Sequence, residues 1–218
     1  MENRKLKERI AKRVAKELKD GDVVNLGIGL PTMVSEYLPE DVEIILQSEN
    51  GLLGMGPAPS ETNLNLNIQN AGAQYATVKP GGMFFDSAFS FGIIRGGHVD
   101  VTVLGAFEVD QEGSLASWII PGGKISGMGG AMDLVNGAKK VIVAMLHTQN
   151  GKAKILEKCQ LPLTALHVIN LIVTEMGVME PTEKGLVLKE YHPDYTFEQI
   201  QAATGCTLLR APDLKAMS

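Results

Sequence analysis

The run Val141-Ile-Val-Ala-Met-Leu146 decides the fold class of this 218-residue chain. All its residues are apolar, so a strand built from them has no polar face and must be covered on both sides. Strands of this kind occupy the centre of layered α/β sheets. We therefore predict one α/β domain, residues 1–218, with an open layered sheet and flanking helices.

The segments around this run predict the neighbouring elements. Residues 133–140 predict a short helix or turn, and residues 99–109 and 114–120 predict strands, with a turn at Gly113. Residues 169–178 are apolar and β-branched, and residues 185–188 predict a short strand. Near the end, Thr196 and Gln199 are typical of a capping box before a last helix.

The first half of the chain predicts helices and strands joined by glycine loops. An amphipathic helix is expected over residues 5–18. Its apolar positions recur every four residues, at Leu6, Ile10, Val14 and Leu18. Strands are expected at residues 23–26 and 42–47, and between them Pro31 suits the first turn of a helix that reaches residue 38.

The segment after the second strand is rich in glycine and proline. Residues 52–59 and 60–82 are therefore predicted to be irregular. A short helix is expected next, within residues 84–94, and either Asp86 or Ser87 is a suitable first residue for it.

Composition excludes several classes of protein. The 20 basic and 25 acidic residues give a net charge of −5, and the basic residues are dispersed, so a nucleic-acid partner is not expected. No apolar run reaches the ~20 residues of a membrane span. The cysteines, Cys159 and Cys206, lie far apart without a CxxC pair, which argues against a disulfide framework or zinc site. We expect reduced thiols and a cytoplasmic protein without a membrane partner.

Familiar catalytic and cofactor motifs do not explain this chain. Gly27-Ile-Gly29 begins like a dinucleotide fingerprint, but Thr32 stands where the third glycine belongs. Phosphate-loop, zinc-protease and serine-hydrolase motifs are absent from the sequence. The histidines lack ligand spacing, so no metal site is predicted. They are His98, His147, His167 and His192.

Three glycine-rich loops follow apparent strands, at Gly27-Ile-Gly29, Glu49-Asn50-Gly51 and Gly127-Met-Gly129-Gly130. Ligands of open α/β sheets bind outside the carboxyl ends of strands, which favours one shared site. Each loop is equally explained as a tight turn. Glu49 itself either points into a cleft at the end of its strand or is a solvated residue of the turn.

The stretch Leu46-Gln-Ser-Glu-Asn-Gly-Leu-Leu-Gly54 resembles the glutamate signature of family I coenzyme A transferases, in their second half. The similarity covers about residues 5 to 175. It extends to four further segments, Asn25-Leu-Gly-Ile-Gly-Leu-Pro-Thr32, Phe85-Asp-Ser-Ala88, Ile94-Arg-Gly-Gly-His98 and Gly127-Met-Gly-Gly-Ala-Met-Asp-Leu134. The chain is most similar to the beta subunits of acetate, butyrate or succinyl-dependent enzymes that act on acetoacetate.

The resemblance implies a function and a set of site residues. Glu49 would be acylated and then hold CoA as a thioester while CoA moves between a short-chain acyl-CoA and a carboxylate or 3-oxoacid. Backbone groups of Gly129 and Gly130 would stabilise oxyanions. Substrate and CoA contacts are expected at the other loop residues, Gly27, Gly29, Asn50 and Gly51. CoA is a substrate here, and no metal or redox cofactor is implied.

The resemblance also implies a partner. The GGF loop of the alpha subunit is absent from this sequence, so the active enzyme is expected to pair this chain with an alpha subunit as α2β2, with the site between unlike chains. Lys124 follows a second glycine where the family resemblance leads us to expect lysine, so we assign it no ligand contact. From Glu180 onward the resemblance is weakest and no site residue is assigned.

Two other functions remain open from the sequence. One is an acyl-CoA hydrolase that uses the same glutamate. The other is a non-catalytic module that binds a sugar phosphate or another effector, because one fold can host many functions. The sequence also leaves the preferred acyl donor open. Acyl groups that differ by one or two methylenes are distinguished by only ~1 to 3 kcal/mol of binding free energy, which depends on the shape of the pocket.

Overall fold

The computed structural model describes residues 2–217. Within this range the α-helices are α1 (Glu2–Ala15), α2 (Ser87–Arg95), α3 (Ala131–Gly137) and α4 (Phe197–Ala203), and Pro31–Tyr37 forms a 3₁₀ helix. The strands are β1 (Val23–Leu26), β2 (Ile45–Ser48), β3 (Leu52–Met55), β4 (Val78–Phe84), β5 (Val101–Leu104), β6 (Glu108–Asp110), β7 (Leu115–Ala116), β8 (Lys140–Ala144), β9 (Thr148–Gln149), β10 (Lys152–Ala153), β11 (Ile155–Leu156), β12 (Leu171–Val173), β13 (Gly177–Thr182), β14 (Gly185–Tyr191) and β15 (Leu208–Ala216).

A ten-stranded mixed sheet forms the centre of the molecule, in the order β15-β14-β13-β12-β8-β5-β1-β2-β3-β4. Its five middle strands, from β12 to β2, run parallel, and antiparallel pairs flank them on both sides. Parallel strands place their carboxyl ends at one edge of the sheet. The fold is therefore the predicted α/β class, with a common edge where loops can meet.

The central strand β8 is buried on both faces, as its sequence predicts. Val141 and Val143 pack into a core that includes Ile200 of α4, whereas Ile142 packs into a second core with Ile10 of α1. These side chains alternate because successive residues of a strand point to opposite faces of the sheet. The uninterrupted apolar run thus supplies both hydrophobic layers.

The predicted caps of two helices are confirmed. The Asp86 side chain accepts a hydrogen bond from the backbone N–H of Phe89, so Asp86 is the N-cap and Ser87 the first helical residue of α2. Thr196 and Gln199 form a complete capping box at the start of α4. Helix α1 ends at Ala15, three residues before the predicted end, and Leu18 is buried in the turn that follows.

The predicted irregularity of residues 52–59 and 60–82 is wrong in two places. Leu52–Met55 is β3, which pairs with β2 and β4, and Val78–Phe84 is β4, the edge strand of the large sheet. Gly54 adopts a positive φ of 79° in this pair, and a β-carbon there would lie 2.8 Å from the Cα of Gly82. The glycines allow a register shift and close approach of the two strands rather than breaking them.

Other predicted strand limits need correction. The strand expected over residues 99–109 is two strands, β5 and β6, which belong to different sheets. The one expected over residues 114–120 is only the two-residue β7. Strand β15 was not predicted, although it forms one edge of the large sheet. None of the helices in residues 2–217 combines the length and apolar character that crossing a membrane requires.

Candidate active site

The three glycine-rich loops meet at one cavity of about 550 Å³ at the carboxyl edge of the sheet. Gly27 follows β1, Glu49 follows β2, and Gly130 immediately precedes α3, and all three line this cavity. Gly105, after β5, completes the wall. The parallel order of β1, β2 and β5 brings their loops together, and the loop at Gly130 reaches the same cavity from the separate sheet that contains β7.

A tight turn places Glu49 at the wall of the cavity. The backbone N–H of Gly51 donates to the carbonyl of Ser48 at 3.0 Å, and the chain then returns as β3. Gly51 has φ 112°, and a β-carbon on it would stand 2.0 Å from the carbonyl oxygen of Phe85. Only glycine fits this position without displacing backbone. The turn thus holds Glu49 half-buried at the cavity rather than in open solvent.

The carboxylate of Glu49 is held by a buried chain of amide groups. Asn25 Nδ2 donates to Glu49 Oε2 at 3.1 Å and to Gln47 Oε1 at 2.8 Å. Gln47 Nε2 in turn donates to Ser90 Oγ at 3.0 Å. Asn25 and Gln47 are each 2% exposed and Ser90 is fully buried. The sequence alone did not predict a role for Asn25, Gln47 or Ser90. A polar Asn inside the apolar strand Val23–Leu26 is unusual, and that feature could have identified Asn25.

Gly130 lies directly against Glu49. A β-carbon on Gly130 would stand 3.2 Å from Glu49 Cγ and 3.4 Å from its Oε1. Gly129 has φ 52°, which turns the chain just before the helix. Within residues 2–217, no group accepts a hydrogen bond from the backbone N–H of Gly129 or Gly130. The loop that contacts Glu49 thus carries two backbone N–H groups to which the described residues provide no acceptor.

Three of the sequence-predicted contact residues lie outside the cavity wall. Asn50 is exposed and donates through Nδ2 to the carbonyl of Gln69 at 2.8 Å. Gly51 packs under the turn, and Gly29 accepts a hydrogen bond from Thr32 Oγ1 at 2.7 Å through its carbonyl. Gly29, Asn50 and Gly51 therefore shape the loops. The predicted site residues that do line the cavity are Gly27, Glu49, Gly129 and Gly130.

Lys124, to which the sequence assigned no ligand contact, lines the cavity. Its Nζ lies 5.7 Å from the centroid of the Phe107 ring, which is also part of the wall. Among the lining residues it is the only basic side chain and Glu49 the only acidic one. The cavity therefore presents one carboxylate and one ammonium group to a ligand.

The cysteines do not compete with Glu49 as nucleophiles. Burial, with the nearby charges of Asp110 and Glu108, raises the pKa of Cys159 to about 12. Burial, with the charge of Glu157, raises the pKa of Cys206 to about 11. A thiol needs its thiolate form to attack. In residues 2–217 there is also no group of three or more His, Cys, Asp or Glu that could hold a metal ion.

Comparison with known proteins gives extensive matches. The family model described as Coenzyme A transferase matches residues 7–203. The acetate CoA-transferase subunit beta of Haemophilus influenzae is 56% identical over 212 residues, which cover 97% of this chain and 95% of that protein. The mitochondrial succinyl-CoA:3-ketoacid coenzyme A transferase 2A of Rattus norvegicus is 49% identical over 212 residues, which cover 96% of this chain and 41% of that protein.

A solved structure has the same fold. The apoenzyme of an acyl-CoA transferase (YdiF) from Escherichia coli O157:H7 matches with a TM-score of 0.76 at 24% sequence identity. The match covers 98% of this chain and 43% of that one. This chain therefore corresponds to less than half of the longer proteins and to nearly all of the subunit beta.

Proposed function

Because the chain belongs to the coenzyme A transferase family, as a beta subunit of the family I type, we propose that its Glu49 carries CoA between a short-chain acyl-CoA and a 3-oxoacid such as acetoacetate. The single observation that carries this proposal is the position of Glu49, at the wall of the cavity where the glycine loops meet and held by Asn25. The identity to an acetate enzyme and to a succinyl-CoA:3-ketoacid enzyme supports the substrate class.

The first half-reaction loads CoA onto Glu49. A glutamate carboxylate is ordinarily ionised near neutral pH and attacks an electrophile without a general base. Attack on the acyl-CoA carbonyl breaks the C–S bond and gives an acyl-glutamyl anhydride and CoA thiolate. The thiolate then attacks the glutamyl carbonyl, which leaves CoA on Glu49 as a thioester and releases the donor acid as a carboxylate.

The second half-reaction reverses these steps with a new acid. The 3-oxoacid carboxylate attacks the Glu49 thioester, and the resulting anhydride is opened by CoA thiolate at the 3-oxoacyl carbonyl. The product is a 3-oxoacyl-CoA, and Glu49 returns as a carboxylate. The thioester bond energy is conserved throughout, so the scheme calls for no redox cofactor.

The walls of the cavity supply binding and electrostatic stabilisation. The backbone N–H groups of Gly129 and Gly130 are available to the oxyanion that forms on the acyl group, and one such donor contributes about 3 to 4 kcal/mol. Lys124 offers a positive charge to an incoming carboxylate. A second cavity of about 660 Å³ shares Leu26, Thr32, Met55, Asn70 and Gln74 with the first, and we propose that it receives the thiol arm of CoA.

The active enzyme pairs this chain with an alpha subunit in the proposal, as α2β2. The match to a subunit beta and to only 41% of a longer transferase supports this pairing. The partner would close the cavity and keep water from the thioester, because the same intermediate in contact with water would be hydrolysed. This chain without its alpha subunit is expected to be inactive.

Products distinguish a transferase from a hydrolase that uses the same glutamate. The αβ complex is incubated with acetyl-CoA or succinyl-CoA, with and without acetoacetate, and acetoacetyl-CoA and free CoA are quantified. We expect acetoacetyl-CoA only with the acceptor, and its loss in Glu49→Gln but not in Glu183→Gln, a change in an exposed turn between β13 and β14. Release of free CoA at the same rate without acceptor would establish a hydrolase instead.

A further inference from the structure

A short hairpin over residues 118–126 fixes Lys124 at the wall of the cavity that contains Glu49. The backbone N–H of Ile120 donates to the carbonyl of Lys124 at 2.8 Å across this hairpin. Successive residues of an extended chain point to opposite sides. Lys124 and Ser126 accordingly line the cavity, whereas Ile125 between them is 71% exposed. The hairpin thus directs Lys124 toward the cavity.

The positive charge of Lys124 has no acidic partner among the described residues. None of the ion pairs within residues 2–217 includes it, although five other lysines pair with carboxylates. Its Nζ lies 5.7 Å from the centroid of the Phe107 ring, a contact that stabilises a cation without neutralising it. A lysine ammonium is ordinarily protonated near neutral pH and has three N–H donors. Lys124 therefore offers an uncompensated charge to an anion in the cavity.

The net charge of the cavity wall depends on the state of Glu49. While Glu49 is a carboxylate, its charge and that of Lys124 cancel, because no other charged side chain of residues 2–217 lines the cavity. When Glu49 carries CoA as a thioester, its carbonyl group is neutral. The wall of this loaded complex then has the single positive charge of Lys124. The reaction itself therefore switches the wall from neutral to positive.

We infer that Lys124 recruits the acceptor carboxylate to the loaded complex, an inference that rests on the proposed function. In the free enzyme the negative charge of Glu49 repels a carboxylate and offsets the attraction of Lys124. In the loaded complex only the attraction remains, so an anionic acid is bound when the thioester is ready to react with it. Water is neutral and gains nothing from Lys124. The same charge therefore favours transfer over hydrolysis, and Lys124 determines specificity for the acceptor.

The movement of charge through the second half-reaction fits this role. The acceptor carboxylate adds to Cδ of the Glu49 thioester and expels CoA thiolate, which receives the negative charge. The thiolate then adds to the acceptor carbonyl of the anhydride and expels Glu49 as a carboxylate. Glu49 again cancels the charge of Lys124, and the acyl group that leaves with CoA is uncharged. The donor acid forms in the loaded complex too, so donor and acceptor acids compete for Lys124.

The test measures discharge of the loaded αβ complex. The complex is loaded with acetyl-CoA, freed of excess by rapid gel filtration and mixed with increasing acetoacetate, and mass spectrometry follows the remaining Glu49 thioester. We expect Lys124→Met to raise the half-saturating acetoacetate concentration about tenfold, as for loss of one charged hydrogen-bond donor, without changing the maximal rate. Loading from acetyl-CoA and slow discharge by water should be unchanged, because the acetyl group and water are neutral.

Matched variants and salt separate the charge of Lys124 from other effects. Lys124→Arg keeps the charge and should stay near the unaltered acetoacetate dependence. Lys184→Met removes a lysine from the exposed turn between β13 and β14 and should also behave as the unaltered complex. Raising salt from about 0.1 M to about 1 M should weaken acetoacetate binding more in the unaltered complex than in Lys124→Met, because salt screens the attraction. Gel filtration confirms assembly, and Lys124→Gln replaces Lys124→Met if that variant does not assemble.

Two results would overturn the role of Lys124. One is an unchanged dependence of discharge on acetoacetate in the assembled Lys124→Met or Lys124→Gln complex. The other is a raised KM for acetyl-CoA in the loading step with no change in the acetoacetate dependence, which would assign Lys124 to CoA instead. Failure of the proposed function is distinguishable, because then no thioester forms on Glu49 even in the unaltered complex.

Discussion

Gly130 lies against the side chain of Glu49, so closely that a β-carbon on the glycine would stand 3.2 Å from Glu49 Cγ. Contacts of this length force a shift of a few tenths of an ångström. We predict that Gly130→Ala lowers kcat of the αβ complex tenfold or more, because small misplacement of a reacting group is costly. The melting temperature should change little, since the displaced group is a side chain at a cavity.

Gly92→Ala is the matched control for this prediction. Gly92 is exposed on α2, and a β-carbon there meets nothing within 4 Å. The kcat of the Gly92→Ala complex should equal that of the unaltered complex. If Gly130→Ala also retains full kcat, the close approach of the loop to Glu49 has no part in turnover.

The turn that carries Glu49 depends on Gly51. We predict that Gly51→Ala lowers the free energy of unfolding by about 3 kcal/mol or more, because its β-carbon would stand 2.0 Å from the backbone oxygen of Phe85 at an unfavourable φ. Gly81 also has a positive φ, but a β-carbon on it would meet nothing within 4 Å. Gly81→Ala should therefore lower the free energy of unfolding by only about 1 to 2 kcal/mol. Thermal unfolding of the complexes measures both, and equal losses would contradict the role of the Phe85 contact.

A buried ion pair joins the first helix to the last part of the sheet. Arg13 Nε and Nη2 donate to the two carboxylate oxygens of Glu190 at 2.6 and 3.0 Å. We predict that Arg13→Met costs about 3 kcal/mol of stability, because Glu190 would be left buried without this partner. Arg4→Met, in an exposed pair with Glu8, should cost under about 1 kcal/mol. Similar melting temperatures for the two variants would refute this prediction.

Stability should depend on pH through His147, which is fully buried between hydroxyls of Thr174 and Thr204. Burial, with the charge of Lys154, lowers the pKa of His147 from 6.5 to about 4. The unfolded chain therefore binds a proton more readily than the folded one. The neutral, buried His147 therefore contributes roughly 3 kcal/mol to the free energy of unfolding above pH 6.5. This contribution is lost as the pH falls toward about 4.

His147→Gln removes this titration. Melting temperatures of the complex at about pH 7 and about pH 5 should differ less in this variant than in the unaltered protein. His98→Gln, at an exposed histidine, should leave the pH dependence as it was. An equally steep decline in His147→Gln would assign the acid sensitivity to other groups, with the buried Glu175 carboxylate that accepts the His147 backbone N–H as the first to test.

The parts of the fold that local sequence encodes were predictable. The apolar run at Val141 specifies a strand buried on both faces, because each of its residues must be covered. The capping residues Asp86 and Thr196 were predictable because a cap requires only a side chain and a backbone N–H three residues away. Glu49 was singled out because a charged residue stands there between an apolar strand and an Asn-Gly turn, but its catalytic role was predicted only from the resemblance to coenzyme A transferases.

The parts that depend on distant pairing were missed. Strands β3 and β4 are rich in glycine and become regular only because they pair with each other and with β2. The contact of Asn25 with Glu49 depends on the register that sets Asn25 beside Gln47, and Ser90 joins them from a helix 43 residues further along the chain. Lys124 enters the cavity through the course of a glycine-rich loop, which local spacing does not determine.

Covalent attachment of CoA to Glu49 is the central step of the proposed function. The αβ complex is incubated with acyl-CoA, digested, and the peptide of residues 47–58 is examined by mass spectrometry, with Glu49→Gln alongside. We predict the mass of CoA on this peptide, its disappearance when acetoacetate is added, and neither adduct nor transfer in Glu49→Gln. Transfer at the normal rate by Glu49→Gln would contradict the account.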